Sequence, residues 1–386
     1  MNKSRLGRIF LILFFPLLGL NLWIIFSGNS YLYRAIWHNF ADIDDNKIFP
    51  SRVIKAGVLE PWPISKFYNK KKLPANLERE LEKIASIGFL IIKNDSIINE
   101  SYWGGYSDTS FSNSFSMAKT FVSMSIGVAV DKGFIKSIDE PVFHYLPQFA
   151  NDERSKQLTI RHLLTMTSGS NWVESYSNPL SITTKAYYGS RLEEVIQSIQ
   201  IIKDPGTQFH YQSGNNLLLA AVLEKATGHK LADYFSSEIW SKAGTSRNAL
   251  WSLDREGGTE KAYCCVYSNA RDFARMGQLY LNGGRYKDKQ LVSEEYVKKS
   301  LLPVKTQDAQ GKPVNYYGLS WWLIPQYKGH NVFYARGILG QYVIVVPEEK
   351  IIIVRLGKKR GPVQGDHYQE VFDCIDAALA MYGEKQ

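Results

Sequence analysis

Ser114-Phe115-Ser116-Met117-Ala118-Lys119-Thr120 decides how the rest of this 386-residue chain is understood. The spacing predicts a helix from Met117 onward, with a strained lead-in that leaves Ser116 at its start. Residues three apart share a helix face, so the side chains of Ser116 and Lys119 can meet. A serine hydroxyl is a poor nucleophile at neutral pH and needs a base beside it. A lysine can be that base once burial or a neighbouring charge lowers its pKa. The helix N-terminus favours developing negative charge. The stretch from Phe121 to Phe134 is short of charge until Asp131-Lys132, so the helix is expected to be buried. A lysine on a buried helix needs a reason. Taken alone the pattern is common, and its ordinary alternative is an N-cap serine followed by a solvated lysine.

Composition is that of a globular protein, 45% hydrophobic and 22% charged. The net charge of +9 is scattered apart from Lys70-Lys71-Lys72, which does not suit a nucleic-acid binder. That run is expected to be a solvated surface patch. The cysteines Cys264, Cys265 and Cys374 have no metal-ligand or redox-motif spacing. Adjacent cysteines rarely pair, so Cys264-Cys265 is expected to be small core packing, with no disulfide. Ile9 to Phe26 is apolar except for Asn21 and follows Lys3, Arg5 and Arg8. Its length approaches the minimum for a bilayer span. The positive bias on its N-terminal side predicts an uncleaved single-pass anchor in the cytoplasmic membrane, with the remainder outside. A cleaved signal peptide is the alternative.

Three segments follow from this: a cytoplasmic tip and anchor over 1–26, a connecting arm over 27–75, and a catalytic domain over 76–386. Asn76 to Ile87 has helical periodicity. Phe89 to Lys93 and Ser96 to Trp103 form a hairpin around Asn94-Asp95. Helices dominate a subdomain of about 117–300, among them Leu192 to Ile202, Asn215 to Ala226, Leu231 to Lys242 and Asn269 to Leu281. Strands are expected at Tyr317 to Leu323, Asn331 to Ala335, Gln341 to Val346 and Lys350 to Leu356, then a closing helix from His367 to Tyr382. The order fits an α+β fold in which the first hairpin joins the last strands in one antiparallel sheet.

Two further stretches carry chemistry. Pro205 to Asn216 delivers Tyr211 just before an apolar helix, where a nearby lysine would let it pass a proton. The alternative is a packing tyrosine with its hydroxyl on the backbone. Tyr334 to Gln341 contains Gly337 and Gly340 at a strand edge, where a substrate can approach the backbone. A backbone N–H there, with that of Ser116, would make an oxyanion hole.

Ser116-Met117-Ala118-Lys119, Tyr211-Gln212-Ser213 and Arg336-Gly337 occur in order and resemble the three motifs of the serine β-lactamase and penicillin-binding-protein superfamily, in its class C and esterase branch. Pro141 to Pro147, Thr159 to Gly169 and Asn269 to Leu281 look like that branch, and Gly337 to Pro347 is most similar to the aminohexanoate-dimer (nylon-oligomer) hydrolases. The resemblance covers about 76–382. It implies a β-lactamase/transpeptidase-like fold: an antiparallel sheet flanked by helices, plus a mostly helical subdomain. It implies acylation at Ser116, proton traffic through Lys119 and Tyr211, and an oxyanion hole from the N–H groups of Ser116 and Ile338. Ser213, Glu174, Tyr176, Arg336 and Gly337 are implied substrate-binding residues. The chain departs from the family at Ser213, usually asparagine, and at Ala335, usually lysine or histidine; the second loss removes a cation that helps bind a substrate carboxylate.

The expectation is a serine hydrolase cleaving a small-molecule ester or amide, with no metal or other cofactor, no nucleic-acid partner, and lipid contact through the N-terminal anchor. The alternatives are a D,D-peptidase or β-lactamase, and a catalytically silent cell-wall-binding module. Zinc-protease and α/β-hydrolase readings lack their usual His-Glu-x-x-His and Gly-x-Ser-x-Gly signs.

Overall fold

The computed structural model of the chain describes residues 3–383. Helix α1 (Lys3–Phe26) leads to the short helix α2 (Tyr31–His38). The side chains of Lys3, Arg5 and Arg8 lie outside the described residues. Among the described residues no single helix is long and apolar enough to cross a membrane; Ile12–Phe26 and Tyr31–His38 pass that test only as a pair, bent by 119°. The expected single-pass anchor, with its lipid contact, is therefore not supported.

The arm is more than a connector. Strand β1 (Ser51–Ile54) pairs with β5 (Ala249–Ser252) in a four-stranded sheet of order β1-β5-β6-β4, where β4 is Ser112–Asn113 and β6 is Val266–Ser268. Strands this short show no period-2 signature, so β5 and β6 were invisible within a region whose periodicity predicts helices. They matter because β4 ends one residue before the Ser114-Phe115-Ser116 turn.

The larger sheet has the order β3-β2-β10-β9-β8-β7, with β2 Ser86–Lys93, β3 Ser96–Tyr102, β7 Trp322–Tyr327, β8 His330–Gly337, β9 Gln341–Val346 and β10 Ile351–Gly357. Neighbours run antiparallel, and β2 pairs with β10, so the first hairpin joins the last strands as expected. Asn94 (φ +49°) and Asp95 (φ +57°) supply the left-handed pair its tight turn requires. Helix α3 (Ala75–Lys83) ends earlier than its periodicity suggests, because Ala85 turns left-handed (φ +48°) and Ser86 already begins β2.

Both faces of this sheet are covered, which explains the unbroken apolar runs of β9 and β10. Val343, Val345, Ile352 and Val354 join the core on one face; Ile344, Val346, Ile351 and Ile353 join that on the other. Helix α6 (Ala270–Leu281) lies on the first face so closely that a Cβ at Gly277 would meet Val343 Cγ1 at 2.8 Å. Helix α7 (Gln369–Tyr382) and α3 cover the second. The helical region centres on α4 (Ala118–Asp131), which packs against α5 (Gly214–Thr227). Helix α5 stops at Gly228, whose φ of +74° is the left-handed cap expected there.

Candidate active site

Ser116 sits in a single 3₁₀ turn (Phe115–Met117) that feeds α4. The residue before it, Phe115, has φ +42°, a conformation that is unfavourable for a bulky side chain. Its surroundings hold it there. Asn113 Oδ1 accepts from the Phe115 N–H at 2.9 Å, and Asn113 Nδ2 donates to Tyr267. The Ser114 N–H donates to the Val266 carbonyl at 2.7 Å, and the Val266 N–H donates to Ser114 Oγ at 3.1 Å. The small sheet thus clamps the turn that presents Ser116.

Helix α4 is buried along nearly its whole length, as its composition predicted. Its polar groups are satisfied locally: Thr120 donates to the Ser320 carbonyl and Ser123 to that of Leu319. Lys119 is buried too. Its Nζ lies 3.1 Å from Ser116 Oγ and donates to the Tyr263 carbonyl at 2.8 Å. Burial lowers its pKa to about 8, against a smaller upward pull from the Glu174 carboxylate. Roughly a tenth of such a lysine is neutral at pH 7. Lys119 Nζ also stands 5.1 Å from the centre of the Tyr211 ring.

Burial pushes the Tyr211 phenol well above its usual range; its hydrogen bond with Ser116 pulls the other way but is the smaller effect. Tyr211 therefore stays protonated at neutral pH. The structure brings Ser116, Lys119 and Tyr211 together, and Tyr211 leans on Trp322 with ring centres 5.6 Å apart.

The remaining predicted residues fall in two groups. Glu174 is a hub: its carboxylate accepts from the Trp172 indole (2.8 Å), the Tyr176 hydroxyl (2.6 Å), the Ser213 N–H (2.7 Å) and the Ser213 hydroxyl (2.8 Å). Ser213 is therefore turned to Glu174, while Tyr176 stays half exposed. Gly337 ends β8 against the Ser114-Phe115-Ser116 turn, where an added Cβ would collide with the Ser114 carbonyl. That contact brings Ile338 beside the same turn. The Arg336 guanidinium lies flat on Trp322, 3.2 Å from the ring centre, and donates to the Asp366 carbonyl. Arg360 stands over Tyr368, 4.5 Å from its ring centre. Both arginines act electrostatically on Tyr211. Ala335, where a cation would be usual, is buried in the core.

Sequence reasoning missed three contributors. Tyr263 acts through its carbonyl, which no side-chain motif announces. Cys264 and Cys265 are bonded to each other, which corrects the expectation of unpaired packing residues. The third is Arg355 on β10, fully buried. It donates to the carbonyls of Leu339, Gly340, Lys359 and Ile84 and to Ser86 Oγ, so it ties down the turn that follows Gly337. Gly340 (φ +83°) has no room for a Cβ beside that guanidinium. An arginine in an apolar strand was the available signal.

Similarity to known proteins agrees with this geometry. The family described as beta-lactamase matches residues 74–373. The chain is 27% identical over 308 residues to a 6-aminohexanoate-dimer hydrolase of Paenarthrobacter ureafaciens, covering 75% of this chain and 77% of that protein. Its fold is similar to that of a putative 6-aminohexanoate-dimer hydrolase from Bacillus anthracis, with TM-score 0.71, 20% identity, and 89% and 94% of the two chains covered. It is also similar to a penicillin-binding protein from Bacillus halodurans, with TM-score 0.61, 20% identity, and 79% and 100% covered. With the family match spanning most of its length and the matching α+β architecture around Ser116, the chain belongs to the beta-lactamase family and is a hydrolase of the β-lactamase/transpeptidase fold.

Proposed function

We propose that the protein cleaves an ester or amide bond through an acyl-enzyme formed on Ser116. The observation that carries this reading is the 3.1 Å contact between Ser116 Oγ and a buried Lys119 whose pKa is about 8. Neutral Lys119 takes the Ser116 proton as Oγ attacks the substrate carbonyl carbon. The developing oxyanion is met by the N–H groups of Ser116 and Ile338, a role supported by the packing of Gly337 on the catalytic turn. Tyr211, kept protonated by burial, gives its proton to the leaving oxygen or nitrogen as that bond breaks, and the Lys119 ammonium replaces it. Water then attacks the acyl group, with its proton taken by the same groups, and Ser116 is restored.

Arg336 and Arg360, placed over Trp322 and Tyr368, favour a substrate with an anionic group near them. Glu174, with Tyr176 and Ser213 hydrogen-bonded to it, is assigned to substrate contact as well. Basic residues ahead of the apolar N-terminal run support export of the catalytic domain, tested by fusing residues 1–40 to a reporter active only outside the cytoplasm.

The test is a substrate panel with the full chain and Ser116→Ala. Short-chain nitrophenyl esters and a linear amide such as the 6-aminohexanoate dimer should turn over only with Ser116 present. Equal turnover by Ser116→Ala would sink the nucleophile. Fast cephalosporin hydrolysis would favour a β-lactamase, and inert binding of cell-wall material a silent module.

A further inference from the structure

We propose that the Cys264–Cys265 bond is a positioning element of the hydrolytic centre, holding the Tyr263 carbonyl where it aims Lys119 at Ser116. The inference rests on the assignment of Ser116 and Lys119 above. The two cysteines lie between two contacts to the catalytic turn. On one side the Tyr263 carbonyl accepts from Lys119 Nζ at 2.8 Å. On the other, Val266 exchanges hydrogen bonds with Ser114 at 2.7 and 3.1 Å. Cys264 and Cys265 are thus the two residues that separate the anchor of the nucleophile's turn from the anchor of its base.

That backbone is in an unusual conformation. Cys265 has φ +74°, which a non-glycine residue rarely adopts. A bond between adjacent cysteines closes a small ring with their shared peptide and restricts the torsions on both sides. The pair is buried, and its flanks are tied down: the Cys264 N–H donates to the Lys261 carbonyl, and the Ser252 N–H to that of Cys265.

Chemistry explains why a carbonyl must be held here. A neutral lysine amine has two N–H donors and one lone pair. Giving an N–H to Tyr263 leaves the lone pair free to face the Ser116 hydroxyl. If the carbonyl swings away, the amine can rotate and offer Ser116 a hydrogen in place of the lone pair. Burial would still lower the pKa of Lys119, but its base strength would be aimed elsewhere. Opening the ring takes two electrons and two protons from a reductant, such as a dithiol that is oxidised in turn, and leaves two thiols.

The experiment uses the full chain and a fluorophosphonate probe that labels an active serine. Intact mass should show the isolated protein lacking two hydrogens relative to the free-thiol form. Reduction with dithiothreitol should slow labelling about 10²-fold, the loss expected of a misplaced catalytic group, and reoxidation should restore it. Cys264→Ser/Cys265→Gly, whose glycine accepts the left-handed φ, should be slow and indifferent to reductant. Cys374→Ser, on the far face of the large sheet, should keep the sensitivity. With a reporter ester, kcat should fall while KM stays, whereas general loosening would raise KM and lower Tm. Three free thiols in the isolated protein, Cys374 included, would overturn the proposal. So would labelling within about threefold of the oxidised enzyme once the ring is opened or removed. Absence of labelling in the oxidised wild type would sink the serine assignment together with this inference; normal labelling that ignores the bond would sink this inference alone.

Discussion

Lys119 and Lys261 are both buried, and burial is the main cause of a lowered pKa in each. Their surroundings otherwise differ. Lys119 gives a hydrogen bond to a carbonyl, touches a serine hydroxyl and has a carboxylate nearby, so it settles at about 8. Lys261 Nζ has no hydrogen-bond partner among the described residues. It stands over the Phe49 ring at 3.0 Å and near Tyr187 at 4.9 Å, sealed beneath the arm. Its pKa falls well below the usual value, and Arg34 adds to the fall. Desolvation alone therefore does not set Lys119 apart. In the proposed mechanism, a reacting neighbour and a partner that fixes the lone pair do.

Substitution tests that contrast most severely. Lys119→Met and Ser116→Ala should each cut kcat/KM by at least about 10³-fold, as removal of a nucleophile or its base does. Lys261→Met should leave it within a few-fold. Similar losses at both lysines would break the distinction.

A third buried cation sharpens it. Arg355 has five hydrogen-bond acceptors, four of them carbonyls, and Arg355→Leu orphans them all. A loss of about 3–5 kcal/mol in urea unfolding is expected, together with reduced kcat from a loosened Ile338 turn.

The pH profile probes Lys119 directly. The base form is neutral, so kcat/KM should rise with pH through an apparent pKa near 8. Glu174 favours the charged form, so Glu174→Gln should move that limb to lower pH. A limb that stays put would remove Glu174 from the balance.

The smallest effect is on stability. Lys261 binds a proton more readily unfolded than folded, so its contribution to stability improves as pH rises toward about 10.5 and worsens as pH falls. Lys261→Met should flatten that slope. It should also stabilise the protein by about 1 kcal/mol at neutral pH, since an unpaired buried amine is removed. A destabilised Lys261→Met would show that the lysine has a partner worth keeping.

The sheet and most helices were legible because their signals are local. The apolar run of β2 and the Asn94-Asp95 turn mark the hairpin, and Gly228 marks the end of α5. The boundaries that moved did so where a single residue such as Ala85 took a left-handed conformation. The small sheet was illegible because β4, β5 and β6 are two to four residues long and gain their identity only by pairing. The N-terminal run had the composition of a span, but among the described residues only a bent pair of helices passes the test for one.

At the site, the sequence by itself determined the chemical groups: Ser116 and Lys119 one helical turn apart, Tyr211 before a buried helix, and Gly337 at a strand end. Covalent order and helical periodicity suffice for those. Only the tertiary structure decided their electrical state and aim. Burial sets the direction of the Lys119 and Tyr211 shifts, and burial is a property of the assembled core. The Tyr263 carbonyl, the Cys264–Cys265 bond and the Arg355 clamp join residues far apart in the chain or use the backbone, which has the same chemistry at nearly every residue. No side-chain pattern can announce such contacts, because they exist only once β6, β10 and α4 have been brought together.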